Sequence, residues 1–198
     1  MNRIGCAAAA FAACGVVAAG VAFAAAASAE RAGLEALSGV YASNAPEPWY
    51  GGHGTRQFTF GGGTWSLAFT HALDGAMQNR TFTFRTGGPY KVGEESKAVP
   101  GAFEAIFYED VKYVTLLTAD AAIIRAFGFA NCGLKLNVEV DISKTGCASW
   151  KPVSECREDH DLLAVRGHEL FFGVRPRDNN MCTADRRPTA LLPAVTRQ

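Results

Sequence analysis

Leu134-Lys135-Leu136-Asn137-Val138-Glu139-Val140-Asp141-Ile142 places five apolar residues on one face and four polar or charged ones on the other. Successive side chains of a strand point to opposite faces, so this period of two predicts a half-buried antiparallel strand. The run opens the segment Cys132–Arg175. A loop holding Cys147, Trp150, Pro152 and Cys156 follows it, and then a hairpin over His160–Arg175 that turns at Gly167.

Similar alternation recurs on the N-terminal side. Phe58 and Phe60 alternate with Gln57 and Thr59 before the turn Gly61–Gly63; Trp65, Leu67, Phe69 and His71 then share one face. Two such runs across a short glycine turn form a hairpin. Phe82 and Phe84 begin another strand, ended by Gly87-Gly88-Pro89. Phe103–Tyr108 and Val111–Leu117 flank Glu109-Asp110 and read as a further hairpin with two apolar faces. A helix over Ala119–Asn131, capped by Thr118, is expected to cover the outer one. Leu37–Ser43 reads as the first strand and Thr189–Thr196 as the last, with Pro193 marking an edge or bulge. About ten short strands, one helix and regular turns predict a mainly β chain: an antiparallel, lipocalin-like up-and-down barrel.

The N-terminal segment stands apart. Arg3 precedes an Ala-rich apolar run to about Ala27, and Ala27-Ser28-Ala29 has the small-residue form of a cleavage site. Residues 1–29 read as a secretory signal peptide and 30–198 as the barrel domain, with residues 30–36 a short lead-in. The Ala usage is of a bacterial kind, so the expected destination is the periplasm or the medium. Left uncleaved, the segment would be a membrane anchor, and no other membrane attachment is expected. The 198 residues carry 19 basic and 19 acidic side chains, with no basic stripe to hold nucleic acid. Cys6 and Cys14 leave with the signal. Cys132, Cys147, Cys156 and Cys182 remain, an even set in an oxidising compartment, and predict two disulfides. Proximity favours Cys132–Cys147 and Cys156–Cys182. Zinc is the alternative, but there is no CxxC and no paired His spacing.

No hydrolase, metalloprotease, phosphate-loop or calcium-loop motif occurs; no catalytic residue, metal or cofactor is expected. His53 lies in a glycine-rich loop. His71 falls in phase with the rings of its strand, either as a hydrogen-bonded strand-end His or as a ligand. His160-Asp161 and His168-Glu169 flank the late hairpin and read as surface pairs. Aromatic content inside the strands stands out: Phe58, Phe60, Trp65, Phe69, Phe82, Phe84, Phe103, Phe107, Tyr113 and Phe172 are placed to face one way. They form either a packed core or, with His71, the lining of a cavity for one small apolar ligand. Trp49 and Tyr50, in the loop 44–54, either close over the core or gate that cavity.

Several short pieces carry a resemblance: Asn131-Cys132-Gly133, Gly146-Cys147, Glu158-Asp159-His160-Asp161-Leu162-Leu163, Leu170–Pro176 and Arg187-Pro188-Thr189, with Leu37, Gly39 and Ser43 near the start. In order and spacing they resemble the secreted domain of the adenomatosis-polyposis-coli down-regulated family. The resemblance implies a lipocalin-like barrel with an apolar pocket; animal members restrain Wnt signalling, holding its acyl chain. This chain has one such domain rather than two, no C-terminal membrane helix, and Arg197-Gln198 where a terminal Cys is usual, so Cys182 replaces that Cys as a partner. A Wnt role does not carry over to a bacterial source. The expectation is a non-enzymatic binder of an acyl chain or other hydrophobic small molecule, or of an acylated protein. The alternatives are a small envelope hydrolase or isomerase using His71 or His53, and a structural or protein-binding barrel with a filled core.

Overall fold

The aromatic hairpin is the frame. In a computed structural model that describes residues 26–198, β3 (Gly52–Gly61) and β4 (Thr64–Ala72) pair over nine registered positions, from His53↔Ala72 to Gly61↔Thr64. Gly62 and Gly63 form the turn with φ of +59° and +75°, left-handed values that fit the twist of a two-residue hairpin loop. β1 (Gly39–Ser43) flanks β3 on its other side, and β5 (Arg80–Glu95) flanks β4. From β5 the ring continues through β6 (Phe103–Tyr108), β9 (Glu158–Arg166), β10 (Glu169–Phe172) and β11 (Val195–Arg197) back to β1. These eight strands close an antiparallel barrel. β2 (Glu47–Trp49) extends the sheet beside β3; β7 (Val111–Leu116) and β8 (Glu139–Asp141) extend it beside β5.

Most of the expected signal segment, residues 1–25, lies outside the described residues. Its cleavage site does not: residues 26–35 are helical and form α1. The expected lead-in is therefore a helix that plugs one end of the barrel. Ala27 and Leu34 pack into the same core as Tyr41, Phe60, Tyr90 and Leu170, and Leu34 is fully buried. The Tyr90 hydroxyl donates to the carbonyls of Leu34 and Glu35, which have no partner further along a helix that ends here.

Four sequence expectations need correction. First, Glu109-Asp110 is not a hairpin. β6 and β7 both run antiparallel to β5, with Tyr90↔Phe107 and Gly87↔Val111 in nearly continuous register, so they are one strand interrupted by a bulge. β5 accordingly runs straight through Gly87-Gly88-Pro89. A Cβ on Gly88 would sit 2.4 Å from the Tyr108 carbonyl oxygen, so glycine is what lets the bulge approach. Pro89 faces the bulge, where the ladder lapses and its missing N–H is not needed.

Second, the run Leu134–Ile142 is not a long strand. Only Glu139–Asp141 form a strand, on β7; Leu136 makes an isolated bridge to Leu116 and Lys135 one to Val138, and Asn137 turns the chain at φ +58°. Leu136 and Val138 are each 47% exposed, although Ile142 is buried. Third, the helix is shorter: α2 spans Ala121–Ala126, capped by Asp120, whose carboxylate accepts from the Ala122 and Ile123 N–H groups. Gly128 breaks it at φ +76°, and a 3-10 turn follows at Phe129–Asn131. It does not cover the outer face of β6. There Ala102, Leu162 and Ala164 pack with Phe171 and Leu191, and the His160 N–H bonds to Met181 O in the loop after β10. Fourth, the last strand is only Val195–Arg197, because Pro188 and Pro193 interrupt the chain before it.

Both disulfides are as expected, Cys132–Cys147 and Cys156–Cys182. The first closes the excursion between α2 and β9, and the second ties the loop after β10 to the start of β9. Loop closures of this size contribute about 3 kcal/mol each in the chain-entropy account. Among the described residues no helix is long and apolar enough to cross a membrane.

Candidate functional site

The barrel interior divides into two layers. The lower one, under α1, is solid: Tyr41, Phe60, Tyr90, Phe103, Leu163 and Leu170 are all buried there. Phe58 and Phe172 cap it, stacked with ring centroids 3.9 Å apart.

Above this pair lies a cavity of about 50 Å³. Phe58, Trp65, Phe107 and Phe172 form its floor, with Leu67, Phe69, Phe84 and Trp150 around its sides. Trp150 follows the Cys132–Cys147 disulfide in the segment leading to β9 and stacks on Phe84 at 4.5 Å, nearly parallel. Trp49 and Tyr50 stand at the rim. Trp49 packs edge-on to Phe69 at 5.4 Å. Tyr50 and Gly51 form the two-residue turn between β2 and β3, with φ of +48° and +81°. A tyrosine in the left-handed region is held at a cost of order 1–3 kcal/mol. Tyr50 is 40% exposed, while its hydroxyl reaches inward to Asn179 Oδ1 at 3.2 Å. All three tryptophans of the chain line this one space.

Charged groups close the remaining wall. Asp159 and Arg175 form a two-point pair at 2.7 and 3.1 Å, and Arg175 Nε donates to Asn179 Oδ1 at 2.6 Å. Burial works against the Arg175 charge, but Asp159 outweighs it and its pKa is raised. Asp161 is buried beside them, its Oδ1 accepting from the Leu162 and Gly173 N–H groups. Burial, then the neighbouring Asp159 charge, push its carboxyl up to about 7. Glu109, on the bulge, pairs with Lys112 at 2.8 Å; burial pushes its carboxyl up and Lys112 opposes this. Lys112 also donates to the carbonyls of Lys151 and Cys156. On the opposite wall Arg56 pairs with Glu47 at 2.8 Å, and both are buried.

Of the residues singled out by aromatic phase, Phe58, Trp65, Phe69, Phe84, Phe107 and Phe172 line the cavity, as do Trp49 and Tyr50. Phe60 and Phe103 lie below it in the solid layer. Phe82 packs behind the wall with Phe127, Phe129 and Trp150. Tyr113 is on the outer face, under the Arg85 guanidinium at 5.2 Å. The bulge explains this. It shifts the phase by one residue, so Lys112, Val114 and Leu116 face inward instead of 111, 113 and 115. His71 is fully buried off the cavity. Its Nδ1 meets Thr81 Oγ1 at 2.7 Å and its Nε2 the Trp49 carbonyl at 3.1 Å. Burial lowers its pKa and favours the neutral ring. His53 lies in opposite phase to Gly54 and Arg56 on β3.

His168 and Glu169 are exposed as expected, but His160 and Asp161 are buried, a correction to their reading as surface residues. The polar wall is what the aromatic pattern missed: Arg56, Glu109, Asp159, Asp161, Arg175 and Asn179. A signal for some of it was present. Arg56 is in phase with Phe58 and Phe60, Glu109 with Phe103 and Phe107, and Asp159 and Asp161 with Leu163. A charge in phase with a strand's apolar residues points into the core.

Among the described residues no group of three or more His, Cys, Asp or Glu side chains is placed to hold a metal ion. No known family model matches the chain, and no curated protein matches it.

Proposed function

We propose that this chain is an exported, non-enzymatic binding barrel for a slender apolar ligand, such as the end of an acyl chain, received in the upper chamber. One observation carries this reading: rings and buried charges converge on a single space, capped by two aromatic residues on a tight turn. Ligand sites in barrels are apolar pockets with a few fixed polar groups at the mouth. The two disulfides and the Ala-rich leader support export to an oxidising compartment. The likeness of the Cys132–Thr189 motifs to the adenomatosis-polyposis-coli down-regulated family supports a lipid-binding role from a different direction. A cavity of about 50 Å³ is well below the roughly 150 Å³ that takes a benzene ring. As it stands it receives only a few carbons, and a longer chain enters when Trp49 and Tyr50 swing aside. Each buried CH₂ contributes about 0.8 kcal/mol.

The second reading is a structural barrel with a filled core, which the solid lower layer and the small cavity favour. One titration separates the two. Because all three tryptophans line the chamber, their emission should shift and saturate with methyl hexanoate or methyl laurate. A flat response, with no lipid released from the purified protein in mass spectra, establishes the filled barrel instead.

A further inference from the structure

Arg56 is 4% exposed and faces the chamber from β3, across from Phe69. Its Nη2 is fully used, donating to Glu47 Oε1 at 2.8 Å and to the Pro193 carbonyl at 2.7 Å. Its Nε and Nη1 have no hydrogen-bond partner among the described residues. Leaving buried donors of a charged group unpaired is costly. The guanidinium is nonetheless held firmly. Glu47 is fixed by Ser43 Oγ at 2.8 Å and Trp49 Nε1 at 3.3 Å, and Ser43 Oγ in turn accepts the Arg56 backbone N–H. A side chain so braced, with unpaired buried donors on a residue that lines the cavity, is a preorganised hydrogen-bonding site.

We propose that Arg56 is the polar anchor of the chamber, its Nε–H and Nη1–H groups holding an uncharged acceptor of the ligand, the carbonyl oxygen of an ester or amide, while the apolar part lies against Phe58 and Phe69. This rests on the reading of the chamber as a ligand site. Charge balance sets the acceptor's class. Arg56 and Glu47 form a buried one-to-one ion pair at 2.8 Å. Because Glu47 already neutralises this guanidinium, a carboxylate ligand brings a second negative charge to a single cation. A neutral carbonyl uses the donors without that penalty.

The test uses the full chain, tryptophan emission and three probes of one chain length: methyl hexanoate, hexanoate and hexane. The variant is Arg56→Lys, which keeps a cation for Glu47 and removes the Nε and Nη1 donors. If thermal melting shows it unfolded, Arg56→Gln with Glu47→Gln removes the pair together. Expected is a roughly tenfold or greater loss of methyl hexanoate affinity in the variant, unchanged hexane affinity, and hexanoate bound more weakly than the ester by the native protein. Equal affinity of the variant and native protein for the ester overturns the anchor, as does equal weakening toward ester and hexane, while hexane binding keeps the chamber reading intact. Hexanoate bound more tightly than the ester overturns the uncharged acceptor. Silence toward all three probes overturns the anchor and the chamber reading together.

Discussion

The two halves of the barrel share strands and alternation but spend them differently. Below the Phe58–Phe172 stack, rings and Leu side chains fill the space under α1. Above it, rings of the same strands share the wall with Arg56, Glu109, Asp159, Asp161 and Arg175. Each fully buried apolar side chain below stabilises the fold by about 1.5–3 kcal/mol. Each ion pair above carries a desolvation cost that its attraction barely offsets, and apolar residues of similar volume would serve stability as well or better. The lower half is what a barrel needs in order to fold. The upper half is more polar than folding requires, and that difference is the reason the proposed ligand site is placed there.

Substitutions probe this contrast in descending size of effect. Phe103→Ala, in the solid half, should cost about 3–5 kcal/mol and lower the melting temperature by roughly 10 °C. A loss of only a degree or two would mean the lower half is hollow after all. Asp161→Asn should reveal the polar half through pH. The folded carboxyl titrates near 7, above the ordinary aspartate range, so the folded state holds this proton more tightly than the unfolded chain. Its stabilising contribution is complete below about pH 4 and is lost as pH rises through about 7. Between those limits the native protein should lose several degrees of melting temperature relative to the non-titrating variant. A parallel course for the two would place Asp161 outside this linkage. Tyr50→Gly should do least to stability, within about 1 kcal/mol, because relief of the left-handed backbone offsets the lost ring contacts. Acrylamide quenching of Trp49 should rise instead. A large drop in melting temperature would assign Tyr50 to the core rather than the rim.

The barrel was legible because rings at every second position, as in 57–71, must be buried, and a buried face on successive strands leaves few architectures. Leu134–Ile142 has the same period, yet most of it is loop. Leu and Val are small enough to leave half exposed, as Leu136 and Val138 are, and beyond one isolated bridge from Leu136 to Leu116 only three residues form a ladder with β7. Period alone therefore does not make a strand; a free edge to pair with does. The bulge was hidden for another reason. Its enabling residue, Gly88, is distant in sequence from Glu109, so neither stretch announces it by itself. The charged wall escaped notice because single acids and arginines in strands usually face water, and only their phase against Phe58, Phe107 and Leu163 marks them as inward. Arg175 and Asn179 follow β10 in a loop, where no period exists to reveal them.

The closing seam of the barrel has a consequence for how the chain is made. Val195–Arg197 is the strip that joins β10 to β1, each side through two or three residue pairs. Synthesis delivers α1 and the aromatic strands first and this strip last. Until it emerges, the nascent chain is an open sheet with two unpaired edges and a face of exposed rings, the form most prone to associate with its neighbours. Shielding of those edges therefore has to last until this strip arrives, and a chain cut before Val195 would be left as a sheet unable to close at this seam.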